Sequence, residues 1–254
     1  MIRLENLRLG YGHRLLLEQA SATLPAGSLT ALLGRNGSGK STLLRAIIGQ
    51  EKPQAGRLFL DGHPLTRLTP ETLARTVAFV NTERVRVANL RCKDVVALGR
   101  APYTNWIGRM QAQDEAAVYQ ALEQTGMTGY AERTMDKMSD GECQRIMIAR
   151  ALAQRTPIIL LDEPTSFLDL PNRYELGRLL AQLAHEQNKC IFFSTHELDI
   201  ALALCDAVAL IDRSELHYRS TPDLIQSGLL EKVFGDSLRI LPALHAPRYS
   251  NLRK

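Results

Sequence analysis

Apolar positions in the first thirty residues come in short alternating runs, broken by Gly10, Gly12, Pro25 and Gly27. Successive side chains of a strand face opposite ways, so this spacing predicts antiparallel strands joined by turns. Residues 29–33 then form a short unbroken apolar run that leads straight into a glycine-rich segment. From residue 40 to 48 the pattern is helical, with Gly49 placed to end the helix. A helix and a strand are expected between residues 71 and 80, the strand over 76–80.

Residues 83–155 change character. The stretches 114–124 and 142–154 are helical in pattern, and no strong strand signal separates them. Strand-like runs return at 158–161, 190–194 and 207–211, alternating with helical stretches such as 174–186. Short apolar strands alternating with helices predict a parallel α/β core. The expected organisation is one domain over 1–254, with a core from 1–82 and 156–254 and a helical insertion at 83–155. The last forty or so residues read as helical pieces punctuated by proline.

With 254 residues, 45% apolar and 23% charged, the chain is long enough for one large core with a subdomain inserted. No window approaches the roughly 18 uninterrupted apolar residues of a membrane span. Charges stand at the start, where a signal peptide needs an apolar run, so a cytoplasmic chain that forms no pore by itself is expected. The excess of 31 basic over 27 acidic residues suits phosphates without demanding nucleic acid. Cys92, Cys143, Cys190 and Cys205 are far apart and match no metal or disulfide pattern, which leaves them as small buried side chains.

The candidate chemistry begins at Gly34-Arg35-Asn36-Gly37-Ser38-Gly39-Lys40-Ser41. Glycines let the backbone wrap closely round an anion, and the helix that follows adds partial positive charge. Lys40 would reach the β- and γ-phosphates of a nucleotide, the Ser41 hydroxyl would coordinate magnesium, and Thr42 would lie near the α-phosphate. Downstream, Ile158-Ile159-Leu160-Leu161 brings Asp162 and Glu163 to the carboxyl end of a buried strand, where open α/β sheets bind ligands. Asp162 would hold the magnesium through water, and Glu163 would act as general base. Met138-Ser139-Asp140-Gly141-Glu142 opens a helix, and its serine and exposed amides can bind a γ-phosphate. Ser139 with Glu142 also reads as a simple capping box.

The order of these motifs resembles the ATP-binding cassette (ABC) ATPases across nearly the whole chain, with Ser139 to Glu142 in the place of the signature motif. The resemblance implies a RecA-like P-loop NTPase core with an N-terminal antiparallel β subdomain and an inserted helical subdomain. It implies ATP and Mg²⁺ as ligands and a head-to-tail dimer, in which Ser139 and Gly141 serve the ATP held by the other copy. Tyr11 matches the aromatic that stacks on adenine. Ser166-Phe167-Leu168-Asp169 matches the loop that crosses the dimer interface, and His196 matches the switch histidine at the γ-phosphate. One element departs. The family usually shows a proline and a glutamine after the strand at 76–80, whereas this chain has Asn81-Thr82, followed by Glu83. Thr82 offers a hydroxyl to water or metal at shorter reach.

Residues 90–103, ending Gly99-Arg100-Ala101-Pro102-Tyr103, resemble the helical segment of cassettes that serve iron-siderophore, haem and cobalamin importers, as does Glu231-Lys232-Val233-Phe234-Gly235. Gly99 and Pro102 are expected to end a helix and to present Arg100, Tyr103 and Trp106 on an exposed turn, suited to a membrane permease. A purely structural turn is the other reading. Permease contacts are expected around Thr82–Glu83 and residues 99–103, with a substrate-binding protein as an indirect partner. The implied place is the inner face of the cell membrane. Two further readings stay open: a soluble cassette protein acting in DNA repair or on the ribosome, and a nucleotide-gated regulatory module.

Overall fold

The computed structural model describes residues 1–82, 88–104, 108–166 and 168–235. Strands β1 (Ile2–Tyr11) and β2 (Arg14–Leu24) pair antiparallel through a tight turn. Strand β3 (Ser28–Gly34), buried at every position, feeds helix α1 (Lys40–Ile47). Strands β4 (Ala55–Leu60) and β5 (His63–Pro64) return to the first sheet, which has the order β2-β1-β4-β5. Helix α2 (Pro70–Thr76) is capped by the Thr69 hydroxyl, carries proline in its first turn, and leads into β6 (Val77–Val80). Helices α3 (Cys92–Ala97), α4 (Ala112–Gln124) and α5 (Asp140–Ala153) follow, with a 3₁₀ turn over Leu98–Tyr103 after the first. Then β7 (Ile158–Leu161), α6 (Leu170–Glu186), β8 (Cys190–Ser194), α7 (Leu198–Leu204) and β9 (Ala207–Asp212) alternate. Strand β10 (Glu215–Ser220) and helices α8 (Thr221–Gln226) and α9 (Leu229–Phe234) complete the described chain.

The second sheet has the order β10-β9-β3-β8-β7-β6. Strands β9, β3, β8, β7 and β6 run parallel, and β10 pairs antiparallel at one edge. Alternate residues of the parallel strands feed two cores. Ile159, Leu161, Ile191, Phe193, Val208 and Leu210 join the core shared with α3 to α7. Ile158, Leu160, Cys190, Phe192, Ala209 and Ile211 pack with α1 and the antiparallel sheet. A sheet covered on both faces explains why these strands read as continuous apolar runs. Because the strands are parallel, β3, β6, β7 and β8 all end on one side. Their last residues are Gly34, Val80, Leu161 and Ser194, so the phosphate loop, Thr82, Asp162, Glu163 and His196 follow from that edge.

The mixed α/β class and the antiparallel first sheet match the sequence expectation. Two details do not. Residues 215–220, grouped by pattern with helical pieces, form an edge strand; its polar residues suit a strand covered on only one side. The segment Gly99 to Tyr103 is not an exposed platform. Arg100 is 5% exposed: its Nε donates to Asp114 Oδ1 at 2.9 Å, and its Nη1 donates to the Ala153 carbonyl at 2.7 Å. Tyr103 donates to the Gln154 carbonyl at 2.9 Å and stacks under the Arg100 guanidinium, 4.0 Å from the ring centroid. Gly99 lets this turn lie against α5, because a Cβ there would meet the Arg150 carbonyl oxygen. The turn fastens α3 to α4 and α5, the structural alternative. Glu83, Trp106, Phe167 and residues 236–254 lie outside the described residues.

Candidate active site

The phosphate loop takes its shape from β3 and the glycines after it. Gly37 (φ +75°) and Gly39 (φ +103°) occupy left-handed backbone that only glycine adopts freely, and Gly39 caps α1. A Cβ on Gly34 would sit 2.6 Å from Ser38 Oγ and 3.1 Å from the Ile211 carbonyl. The Lys40 side chain is buried in the fold of the loop, with Nζ donating to the Gly34 carbonyl at 3.0 Å and lying 4.0 Å from Glu163 Oε1. Burial lowers its pKa, opposed by the charges of Glu163 and Asp162. The ammonium is thus a fixed, partly desolvated charge at the mouth of a helix, a strong arrangement for a phosphate.

A cleft of about 360 Å³ opens beside it, lined by Tyr11, Arg14, Asn36, Gly37, Gly39, Lys40, Ser41, Thr42 and Glu163. Half-exposed Tyr11 stands at its edge, its hydroxyl donating to Glu51 Oε1 at 2.8 Å. Arg14 was not anticipated from sequence. It lies opposite Tyr11 across the hairpin and donates from Nη2 to the Gly37 carbonyl at 3.0 Å. A two-residue turn after Tyr11 is the signal that places it. The Arg35 side chain leaves the cleft and donates to the Val233 carbonyl in α9 at 3.1 Å. Ser38 lines a separate cavity with Arg35 and Val233. At these two positions, backbone amides are what the loop can offer to phosphate.

Across the cleft, Asp162 and Glu163 follow β7. Asp162 is 5% exposed, and its Oδ1 accepts from Ser194 Oγ at 2.6 Å. The same Ser194 oxygen accepts the Glu163 amide N–H at 2.8 Å. That tether holds Glu163 at φ +46°, a left-handed backbone that costs a non-glycine residue about 1–3 kcal/mol. Glu163 is therefore turned back over the loop, with Oε1 toward Lys40 and Oε2 3.9 Å from His196 Nδ1. Ser194, fully buried at the end of β8 and two residues before His196, is a second site residue that sequence reasoning missed. Thr82, after β6, donates its hydroxyl to the Asp162 carbonyl at 3.0 Å.

The oxygen donors here suit a hard divalent cation. Asp162 offers a buried carboxylate, with the hydroxyls of Ser41 and Thr82 on flanking segments. Among the described residues no group of three His, Cys, Asp or Glu forms a self-contained metal cage. One buried carboxylate with hydroxyls nearby is a donor set that suits magnesium, which keeps several waters and is held by one or two carboxylates together with substrate phosphates.

Ser139, Gly141 and Asp169 do not line the cleft. Ser139 caps α5 in a complete capping box: its Oγ accepts the Glu142 N–H at 3.3 Å, and its own N–H donates to Glu142 Oε2 at 2.8 Å. That N–H, ahead of the opposing effect of burial, holds the Glu142 carboxyl below its usual range. Asp169 caps α6, accepting from the Asn172 N–H at 3.1 Å.

A sequence model of the ABC transporter family matches residues 17–166. The chain belongs to the ABC transporter family. It is an ATP-binding cassette ATPase. The achromobactin transport ATP-binding protein of Dickeya dadantii is 38% identical over 237 residues, covering 93% of this cassette and 88% of that protein. A solved transporter described as of the metal-chelate type, in an inward-facing conformation, aligns with TM-score 0.81 and 30% identity over 92% of this cassette and 88% of that chain. A dimeric ATP-binding cassette in a post-hydrolysis state with ADP and phosphate aligns with TM-score 0.73 and 25% identity, covering 87% of this cassette and 99% of that chain.

Proposed function

We propose that this cassette is the ATP-hydrolysing subunit of an importer for metal chelates of the siderophore, haem or cobalamin class. The observation that carries the catalytic part is Glu163, turned by the Ser194 tether to stand between Lys40 and His196 over the phosphate loop. ATP lies with its adenine against Tyr11 and its phosphates in the amides of residues 34–42, neutralised by Lys40. Ser41 and, through water, Asp162 would hold magnesium with Thr82 nearby, and the ion would supply charge stabilisation to the phosphates. Glu163 takes the proton of a water that attacks the γ-phosphate, and His196 fixes the geometry of that phosphate. The second copy completes each site with its own Ser139 and Gly141, which this chain's cleft lacks, and Asp169 sits in the loop between the copies.

No helix of the described residues is long and apolar enough to cross a membrane, and the importer reading assigns the pore to separate permease subunits. These dock beside the Asn81–Thr82 segment that follows β6 and against Leu98, 59% exposed at the start of the structural turn. The cassette then sits on the inner face of the membrane, and a substrate-binding protein delivers cargo from the other side. Support for the cargo class comes from the achromobactin and metal-chelate relatives.

The test is Glu163→Gln in purified protein. Hydrolysis is expected to fall by about 10²- to 10⁴-fold, the usual value of a general base, while nucleotide binding persists and an ATP-bound dimer accumulates on size exclusion. Hydrolysis at the parent rate sinks the assignment of Glu163. Co-purification with a multi-span permease from solubilised membranes tests the transport role, and its absence refutes that role.

A further inference from the structure

One buried acid has no part in the chemistry above. Glu197 directly follows His196, and its side chain is 5% exposed. Its backbone is fixed at the start of α7, the N–H donating to Thr195 Oγ1 at 3.1 Å and the carbonyl accepting from Ala201. Burial pushes its carboxyl up, opposed by Thr165 and Arg173. Its cationic partner comes from a different part of the machine. Arg173, in the first turn of α6, places Nη1 2.6 Å from Glu197 Oε1 and donates from Nε to the Leu168 carbonyl at 2.6 Å.

That second bond reaches the loop ending at the Asp169 cap. The Leu168 side chain is itself 8% exposed, with Cδ2 3.3 Å from the place a Cβ on Gly141 would occupy. One guanidinium therefore joins two segments with different duties. On one side is Glu197, whose chain neighbour His196 faces Glu163 of the chain's own ATP site. On the other is Leu168, packed on Gly141 of the signature segment, which serves the other copy's ATP. The contact to Glu197 is an ion pair, while the fixed direction of Nε in the planar guanidinium serves the Leu168 carbonyl.

We infer that Arg173 and Glu197 clamp the switch-histidine segment to the Leu168–Gly141 contact, so that each chain's own ATP site and the site it completes on the second copy rearrange together. Both are positioning residues, since neither touches the nucleotide. The inference rests on the dimeric ATPase reading of the preceding section.

The experiment compares steady-state hydrolysis of Mg-ATP by the full chain with Arg173→Gln, Glu197→Gln, the double variant and Arg173→Lys, alongside binding of a fluorescent ATP analogue and melting curves. A clamp predicts a kcat loss of about tenfold or more, the scale of a slightly displaced catalytic group. The affinity for the analogue should change less than about twofold, and the Hill coefficient for ATP should fall toward one. The double variant should lose no more than either single one, because coupled neighbours are not additive. Arg173→Lys keeps a charge beside Glu197 but lacks the fork that reaches Leu168. It should fold like the parent, keep more rate than Arg173→Gln, and still lose cooperativity, which decides the matter if Arg173→Gln unfolds. Parent-like kcat and Hill coefficient in the folded variants overturn the clamp, and so do losses that multiply in the double variant or a lowered melting point alone. A parent chain that fails to hydrolyse ATP removes the ATPase reading and the clamp with it; a hydrolysing parent with unaffected variants removes the clamp alone.

Discussion

Asp114→Ala probes the joint that fastens the turn after α3 to α4 and α5. The wild-type carboxylate is 1% exposed, with Oδ1 2.9 Å from Arg100 Nε and Oδ2 accepting the Gln111 N–H at 2.9 Å at the start of α4. Arg100 is 5% exposed, and besides lying over the Tyr103 ring it donates to the Ala153 carbonyl at the end of α5. Truncating the acid leaves a guanidinium buried without its counter-charge, which costs about 3–5 kcal/mol. Taking about 4 kcal/mol, and about 2–4 °C per kcal/mol for a chain of this size, the melting midpoint should drop by about 8–16 °C. Circular dichroism melts at neutral pH read this directly. Arg100→Met with Asp114→Leu removes both charges and should lose less than Asp114→Ala. A drop worth under about 1 kcal/mol, the value of a surface pair, would refute the reasoning. The same pair sets an acid limit. The Gln111 N–H, and then the Arg100 guanidinium, hold the Asp114 carboxyl below its usual range against the opposing effect of burial. A depressed folded pKa gives stability that is present above the unfolded value of about 4 and lost as pH falls through the folded value. The parent should therefore lose stability on acidification below about pH 4, and Asp114→Ala should lack that component.

Two further outcomes follow from the site and from the joint. Ser194→Ala removes the oxygen shared by Asp162 and the Glu163 amide; kcat should fall at least about tenfold with little change in KM, and stability by about 1–3 kcal/mol, and an unchanged kcat contradicts the tether. Gly99→Ala should destabilise by about 1–3 kcal/mol in urea titration through overpacking against the Arg150 carbonyl, although glycine to alanine within helical segments ordinarily stabilises.

The strand runs at 158–161 and 190–194 were legible because a sheet covered on both faces leaves an apolar signal at every position. The edge strand at Glu215–Ser220 was not, since a half-covered strand keeps polar residues and reads like loop or helix. Arg100 misled for a related reason. An arginine beside glycine and proline looks exposed, and only the packing of α4 supplies the buried acid that neutralises it.

By itself, the sequence determined the order of strand, phosphate loop and helix, the carboxylate pair after a buried strand, and the capping serine of α5, because these are local. Chain neighbours within a few residues set them through backbone freedom, side-chain period and capping. Tertiary structure decided what meets what. Parallel pairing of β3, β6, β7 and β8 brings Lys40, Thr82, Asp162 and Ser194 to one edge, though residues 40 and 194 are far apart in the chain. It also turned Arg35 out to α9, bent Glu163 back over the loop through Ser194, and gave the buried Glu197 its partner in Arg173. Such contacts depend on register and on the filling of two cores at once, which no single stretch of sequence encodes.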